Sequence, residues 1–236
     1  MKTILYKANS RGYFNHGWLQ TFHSFSFADY YDSERVRFGV LRVLNDDTIS
    51  GGMGFGTHPH DNMEIITIPL SGALAHRDSM GNASIIKHGE IQVMSAGTGI
   101  QHSEFNASQE EDCSLLQIWL FPDKRNVEPR YQQVSISDID ISNKLGMIVS
   151  PNPENQGVWI HQQAWFYLGD FSIGQKQSLK FHDSNNGFYI FIIDGHARIS
   201  DIELLTRDGL GIYQIDELEI EVFEKTYILV MEVPMR

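Results

Sequence analysis

Apolar and β-branched residues occur along the chain in short runs that are separated by Gly, Asn, Asp or Pro. The clearest of these runs read VRFGVLRVL, EIITIPL, EIQVM, SLLQIWLF, GFYIFII, LEIEVF and TYILVMEV. Each run has about the length of a strand, and no long segment shows the 3.6-residue periodicity of an amphipathic helix. The pattern therefore predicts an all-β protein, built as a sandwich or barrel with short turns.

A weak internal repeat indicates that one β unit occurs twice. The segments EIITIPLSGALAH (64–76) and GFYIFIIDGHARI (187–199) each contain an apolar run, then a polar residue and Gly, then a second run. Turn-rich sequence lies between the two copies, in residues 122–157. A chain of 236 residues is long enough for two small barrels. We predict an N-terminal unit at residues 1–130, a connecting segment at 131–157 and a C-terminal unit at 158–236.

The composition limits the classes of partner and the location. With 18 basic and 30 acidic residues the formal net charge is −12, which disfavours direct binding to nucleic acid, because such binding needs basic side chains against phosphates. No run approaches the roughly 20 apolar residues of a membrane span, and Lys7 and Arg11 precede any signal-like apolar segment. The single cysteine, Cys113, cannot form an intramolecular disulfide and fits a reducing compartment. We therefore expect a soluble, unprocessed cytoplasmic protein.

The strongest local signal is the pattern G-x5-H-x-H-x3-E in GMGFGTHPHDNME (52–64). His58 and His60 are two residues apart, so they face the same side of a strand. Further along, AGTGIQHSEFN supplies His102 and Glu104 at the same spacing. Two such pairs on neighbouring strands would place three imidazoles and one carboxylate around one ion and leave room for water or substrate. That arrangement is typical of a catalytic metal site.

The ligand types predict one divalent transition metal. Imidazole and carboxylate suit Fe(II), Mn(II), Ni(II), Co(II) and Zn(II), and among these we expect Fe(II). In the C-terminal unit, His182 occupies roughly the place of the first histidine pair but has no second histidine two residues away. We therefore expect one ion per chain, in the N-terminal unit, and a metal-free C-terminal unit.

On these motifs the sequence resembles the pirin family of the cupin superfamily, and in particular the bacterial pirins described as quercetin 2,3-dioxygenases. The resemblance runs from RGYFNHGWLQTFHSFSFADYYD (11–32) through GFGTHPHDNMEI, DSMGN and MSAGTGIQHSEFN to LQIWLFP and PRY. It implies a bicupin, in which two small antiparallel β-barrels of the jelly-roll type pack together. It also implies that the metal lies in the N-terminal barrel, at the positions of His58, His60, His102 and Glu104.

Three further residues are candidates for the surroundings of the ion. Glu64 lies four residues after His60, and many cupins use the glutamate at this position as a ligand. The resemblance to pirins favours Glu104 as the ligand and places Glu64 in a supporting or structural role; ligation by both would leave one open position. His23 and Phe25 lie in the aromatic segment HGWLQTFHSFSFADYYD, which either packs an N-terminal arm onto the barrel or lines a pocket for a planar ligand.

Two classes of function stay open at this point. The resemblance implies a metal-dependent dioxygenase that cleaves a flavonol such as quercetin with O2 and releases carbon monoxide, with Glu104 as the base for the substrate hydroxyl. The alternative is a metal-loaded, redox-responsive regulatory module that docks on a protein partner. The same four ligands serve either role. An apolar cavity beside the metal favours catalysis, whereas a shallow site beside a large surface patch favours docking.

Overall fold

The computed structural model describes residues 1–236 and consists almost entirely of β-strands. Its one helical segment is a single 3-10 turn at Ala8–Ser10. The protein has no helix with the length and apolar character that crossing a bilayer requires. The prediction of an all-β protein is confirmed.

The first half of the chain contributes twelve strands. In chain order they are β1 (Lys2–Tyr6), β2 (Gly12–Asn15), β3 (Leu19–His23), β4 (Leu41–Ile49), β5 (Gly54–His60), β6 (Glu64–Ser71), β7 (Ala73–Asp78), β8 (Ala83–Lys87), β9 (Glu90–Ser95), β10 (Ile100–Asn106), β11 (Cys113–Leu120) and β12 (Arg130–Ser135). Eleven of them form a seven-stranded sheet in the order β12-β9-β6-β11-β4-β3-β2 and a four-stranded sheet in the order β5-β10-β7-β8. These two sheets build the first barrel.

The second half of the chain contributes ten strands. They are β13 (Gly146–Ser150), β14 (Val158–Trp159), β15 (Trp165–Phe171), β16 (Lys176–Lys180), β17 (Asn186–Asp194), β18 (His196–Ile199), β19 (Ile202–Leu205), β20 (Gly209–Tyr213), β21 (Glu217–Val222) and β22 (Thr226–Pro234). Together with β1 they form a seven-stranded sheet, β1-β20-β17-β22-β15-β13-β14, and a four-stranded sheet, β16-β21-β18-β19. The second barrel thus repeats the seven-plus-four arrangement of the first.

The weak repeat in the sequence corresponds to equivalent turns in the two barrels. Gly72 lies between β6 and β7 with φ +68°, and Gly195 lies between β17 and β18 with φ +106°. A side chain disfavours these backbone conformations, so a glycine follows the polar residue in both copies. The prediction of two packed cupin barrels is confirmed.

The two large sheets pack against each other through alternate residues of their strands. In β11, Leu116, Ile118 and Leu120 belong to a buried cluster of 28 residues that draws on both halves of the chain. Gln117 and Trp119, which lie between them, face the interior of the first barrel. One side of the sheet therefore holds the barrels together, and the other side is free to carry polar groups.

Segments near the predicted boundaries pair with both barrels. β1 pairs with β20 of the second barrel, and β12 pairs with β9 of the first. β13 pairs with β15 of the second barrel, so the predicted connecting segment at 131–157 contains strand residues of both sheets. The boundaries at 130 and 157 stay a prediction, and the N-terminal strand adds a link between the halves that the sequence did not indicate.

Candidate metal centre

The expected ligands lie on neighbouring strands of the small sheet of the first barrel. β10 is hydrogen-bonded to β5 on one side and to β7 on the other. His102 of β10 is paired with His58 of β5, and Glu104 is paired with His76 of β7. Residues paired across antiparallel strands point to the same face, so these four side chains share the inner face of the sheet. A bulge between His102 and Glu104 shifts the register with β5.

These side chains form two overlapping groups of potential ligands. His58, His60 and His102 each place a ring nitrogen within 4.8 Å of the others, and their ring centroids are 4.4 to 4.9 Å apart. His76, His102 and Glu104 form a second group within the same distance. His102 is common to both groups and joins the four expected residues into one cluster.

The hydrogen bonding of the three histidines fits a bound cation. His58 Nδ1 is 2.8 Å from the carbonyl oxygen of Gly56, so Nδ1–H donates there and Nε2 keeps its lone pair. His60 Nε2 and both ring nitrogens of His102 are buried without any hydrogen-bond partner. Buried polar atoms are rarely left in this state unless another group takes them up. A divalent ion with nitrogen ligands would satisfy one nitrogen of each ring.

Burial keeps the imidazoles of His60 and His102 neutral in the metal-free protein. It lowers the pKa of His60 to about 4 and the pKa of His102 to about 2, and the neighbouring histidines add to both shifts. A neutral imidazole has the free lone pair that metal ligation needs, so no proton has to be removed at neutral pH.

Glu104 is an almost fully buried residue whose carboxyl group has one hydrogen-bonding neighbour. Gln117 Nε2 lies 3.2 Å from Oε2 and 3.4 Å from Oε1 of Glu104. Burial raises the pKa of Glu104 to about 7, although the Gln117 hydrogen bond acts in the opposite direction. A cation beside this group would favour the ionised form, so the carboxyl group suits a metal ligand that can also take up a proton.

A cavity of about 410 Å³ lies beside the cluster. Its aromatic walls are Trp18, Phe27, Phe55 and Trp119. The rings of Phe27 and Trp119 meet edge to face with centroids 5.3 Å apart, and the Trp119 ring also packs 4.9 Å from that of His60. A cavity with aromatic walls is suited to a planar ligand.

Polar side chains of the large sheet form another wall of this cavity. They are Asn45 and Asp47 of β4 and Gln117 of β11. Asn45 Oδ1 and Gln117 Oε1 are buried without a partner, and Asp47 accepts a hydrogen bond from Thr21 Oγ1. Burial raises the pKa of Asp47 to about 7, so this carboxyl group can donate or accept near neutral pH. The cavity therefore offers hydrogen bonds to a hydroxylated ligand.

Three residues that the sequence suggested for the surroundings of the ion do not line the cavity. Glu64 accepts a hydrogen bond from Ser95 Oγ at 2.7 Å and is absent from both ligand groups. Its neighbour Ile65 lines the cavity, and alternate strand residues point to opposite sides, so Glu64 faces away from the cluster. The expected supporting role of Glu64 beside the metal is therefore wrong, and the structural alternative fits its position.

Some side chains of the aromatic segment pack in the protein core, and others line the cavity. Phe25 is fully buried among Tyr6 and Tyr189 in the cluster between the barrels, so its predicted place in the pocket is wrong. His23 packs its ring 5.2 Å from that of Phe27 and also stays outside the cavity lining. Trp18 and Phe27 of the same segment do line it.

Several site residues escaped the sequence reasoning. The structure places His76 beside His102 and Glu104, a position that the sequence does not predict. Asn45, Asp47 and Gln117 line the cavity as well. One signal was available for them, because polar residues at alternate positions within apolar strands need a buried polar environment.

Both ligand groups lie in the first barrel. In the second barrel, His182 Nδ1 lies 2.8 Å from Glu232 Oε2, and the His182 ring stacks on Trp165 with centroids 4.0 Å apart. This histidine therefore has protein partners of its own.

Two joined cupin barrels, with a histidine and carboxylate cluster on the small sheet of the first, define the chain as a bicupin with a candidate metal centre. Residues 6–120 match the model of the Pirin family, and residues 147–233 match the model described as the quercetinase C-terminal cupin domain. The chain belongs to the pirin family. The resemblance seen in the sequence is confirmed.

Relatives match over nearly the whole chain. It is 40% identical over 230 residues to an Escherichia coli K12 protein named quercetin 2,3-dioxygenase, a match that covers 98% of each chain. It is 33% identical over 219 residues to a pirin-like protein of Caulobacter vibrioides, covering 92% of this chain and 94% of that one. The crystal structure of the E. coli bacterial pirin YhhW in complex with nickel(II) superposes with a TM-score of 0.93 at 37% identity and covers 99% of each chain.

Proposed function

We propose that the chain is a metal-dependent dioxygenase that cleaves a flavonol such as quercetin between its 2 and 3 positions with O2 and releases carbon monoxide. His58, His60, His102 and Glu104 would hold one divalent ion, for which Fe(II) is our choice; the same ligands also accept Mn, Ni, Co or Zn. One observation carries the proposal: the unpartnered imidazole nitrogens and the buried carboxyl group line the same cavity as four aromatic rings.

The relatives support this reaction and a divalent ion. Quercetin 2,3-dioxygenase is the name of the E. coli relative that matches over the whole chain, and the bacterial pirin of the same species binds nickel(II). Ligand softness and geometry do not separate iron from nickel at a site of imidazoles and carboxylate, so metal supply decides which ion is loaded.

The residues of the chain have separate tasks in the proposed reaction. Glu104 accepts the proton of the flavonol hydroxyl on a carboxylate oxygen, while the hydrogen bond from Gln117 keeps that carboxylate directed into the cavity. Asn45 and Asp47 hydrogen-bond the remaining hydroxyls, and the aromatic walls hold the ring plane and exclude water. When bound, the divalent ion supplies the positive charge that favours the ionised hydroxyl.

The experiment that tests this function measures oxygen consumption and carbon monoxide release with quercetin. The protein is purified anaerobically, stripped of metal and reconstituted with Fe, Mn or Ni. We expect metal-dependent turnover above that of the free ions, with metal-free protein as the control. If no ion supports turnover beyond its own background, the dioxygenase proposal fails and a docking module becomes the better interpretation.

One metal ion should bind per chain. Both ligand groups share His102 and lie in the first barrel, so two separate ions would have to compete for the same side chains. Metal analysis of protein reconstituted with excess Ni(II) and then desalted should give a ratio close to one. A ratio near two, or an ion located at His182 in a crystal, would contradict the prediction.

Replacing Glu64 with glutamine should leave the metal content unchanged. Glu64 contacts Ser95 and faces away from the ligand cluster, so the substitution removes an ionisable group without removing a ligand. Metal analysis of Glu64→Gln beside the wild-type protein checks this, with circular dichroism to verify folding. Complete loss of metal from a folded Glu64→Gln variant would instead make Glu64 a ligand.

A further inference from the structure

A buried histidine–aspartate pair lies directly behind two of the proposed metal ligands. His76 and Asp78 are two residues apart on β7, and His76 Nε2 lies 3.2 Å from Asp78 Oδ2, with both side chains fully buried. In the register of β7 with β10, Asp78 is paired with His102 and His76 with Glu104. No step of the proposed reaction uses this pair.

The surroundings of Asp78 determine which atom of the pair carries the proton. Its Oδ1 accepts hydrogen bonds from the backbone N–H groups of Met80 and Asn82, both at 3.0 Å, and its Oδ2 accepts one from Asn82 Nδ2 at 2.8 Å. Three donors around one carboxyl group favour its ionised form, which has no proton to give. His76 therefore donates its Nε2–H to Asp78, and Nδ1 of the neutral ring is left as an acceptor.

The remaining nitrogens of His76 and His102 complement each other. His76 Nδ1 and both ring nitrogens of His102 are buried without a partner. When His102 gives one nitrogen to a metal, its other nitrogen carries the proton and needs an acceptor. The two ring centroids are 5.3 Å apart, and the potential ligand atoms of His76 and His102 lie within 4.8 Å. The χ2 torsion of an imidazole has broad wells, so the free nitrogen of the His102 ring can turn towards His76.

We propose that His76, held by Asp78, accepts a hydrogen bond from the ring N–H of His102 and so sets the tautomer and orientation of that ligand. The Tyr131 ring packs with its centroid 4.9 Å from that of His76, and its hydroxyl group hydrogen-bonds to Gln133, so the His76 ring is held between Tyr131 and His102. His76 is thus a positioning residue. The inference rests on the proposed function only in taking His102 as a metal ligand. Partners of this kind typically change metal affinity by about 10–100-fold.

The first test compares two substitutions of His76 by competition titration of Ni(II) against a chromophoric chelator. His76→Leu removes the acceptor and should weaken Ni(II) binding by about 10–100-fold. His76→Asn places a carbonyl oxygen where Nδ1 lies and should restore most of the affinity. Asn82→Ala is the matched control, because it removes one hydrogen bond to Asp78 but leaves the His76–Asp78 pair intact. It should bind Ni(II) nearly as well as wild type.

The second test reads the tautomer directly in the metal-free protein, by the ring ¹⁵N shifts of His76. We expect Nε2 protonated and Nδ1 unprotonated. Asp78→Asn presents an N–H to Nε2, so it should move the proton to Nδ1 and weaken Ni(II) binding as His76→Leu does, without a change in side-chain volume. This measurement does not depend on turnover.

Four results would overturn the inference. They are a proton on Nδ1 of His76 in the wild-type protein, a loss of affinity below about fivefold in His76→Leu, an equal loss in His76→Leu and His76→Asn, or a loss of Ni(II) from His76→Leu as complete as that from His102→Ala. The third would mean a purely structural role, and the fourth would make His76 itself a ligand. Absence of flavonol turnover would count against the proposed function and would leave these binding and tautomer results unaffected.

Discussion

Replacing Glu104 with glutamine should reduce quercetin turnover about a hundredfold or more, the scale of a general-base contribution. Glutamine has nearly the shape of glutamate and keeps a carbonyl oxygen beside the ion, but it has no negative charge and cannot accept the hydroxyl proton. Glu104 is almost fully buried, with Gln117 as its hydrogen-bonding neighbour, so bulk water has little access to replace it as the base. Oxygen consumption and carbon monoxide release, measured at matched metal content, give the result.

Glu64→Gln is the matched control for that experiment. It makes the same chemical change in a buried carboxyl group of the same barrel, on the face of β6 that points away from the cavity. It should keep near wild-type turnover at equal metal content. If Glu104→Gln retains turnover close to wild type, Glu104 is not the base; if both variants lose turnover equally, the loss reflects the barrel and not the site.

Replacing His102 with alanine should remove the metal while the barrel stays folded. His102 is common to both ligand groups and lies on β10, between the strands that carry the other histidines. Its loss should weaken Ni(II) binding more than the roughly 10–100-fold that a supporting partner contributes. Because ligand binding to the native state raises its stability, added Ni(II) should raise the melting temperature of wild type but not of His102→Ala.

His23→Ala is the control for the truncation itself. His23 is also an almost fully buried strand histidine of the first barrel, and its Nδ1 likewise has no hydrogen-bond partner, but it lies outside both ligand groups. We expect it to lose stability through the cavity that truncation leaves, yet to keep its metal and the melting shift that Ni(II) produces. Wild-type metal content in His102→Ala would refute the ligand assignment.

The spacing of residues within one strand was readable from the sequence. His58 and His60, and likewise His102 and Glu104, are two residues apart, and the period of a strand places such pairs on one face whatever the rest of the fold does. The apolar runs and the glycine turns predicted strands and a duplicated unit for the same reason, since both depend on local backbone conformation.

That local rule fails across a turn. Glu64 lies four residues after His60, a spacing that would share a face within one strand. Asn62, with φ +45°, lies in the connection between β5 and β6, and the two strands belong to different sheets. The number of residues between His60 and Glu64 therefore does not predict the direction of the Glu64 side chain beyond the turn. Glu64 points towards Ser95 instead of the candidate metal ligands.

The sequence by itself determined the strands, the duplication and the two pairs of candidate ligands, because each of these depends on neighbours in the chain. Only the tertiary structure decided that β10 lies between β5 and β7, which brings His76 against His102, and that β4 and β11 turn Asn45, Asp47 and Gln117 into the cavity. Strand order and sheet packing arise from contacts between residues far apart in sequence. The spacing of residues within one strand does not indicate which strand will lie beside it.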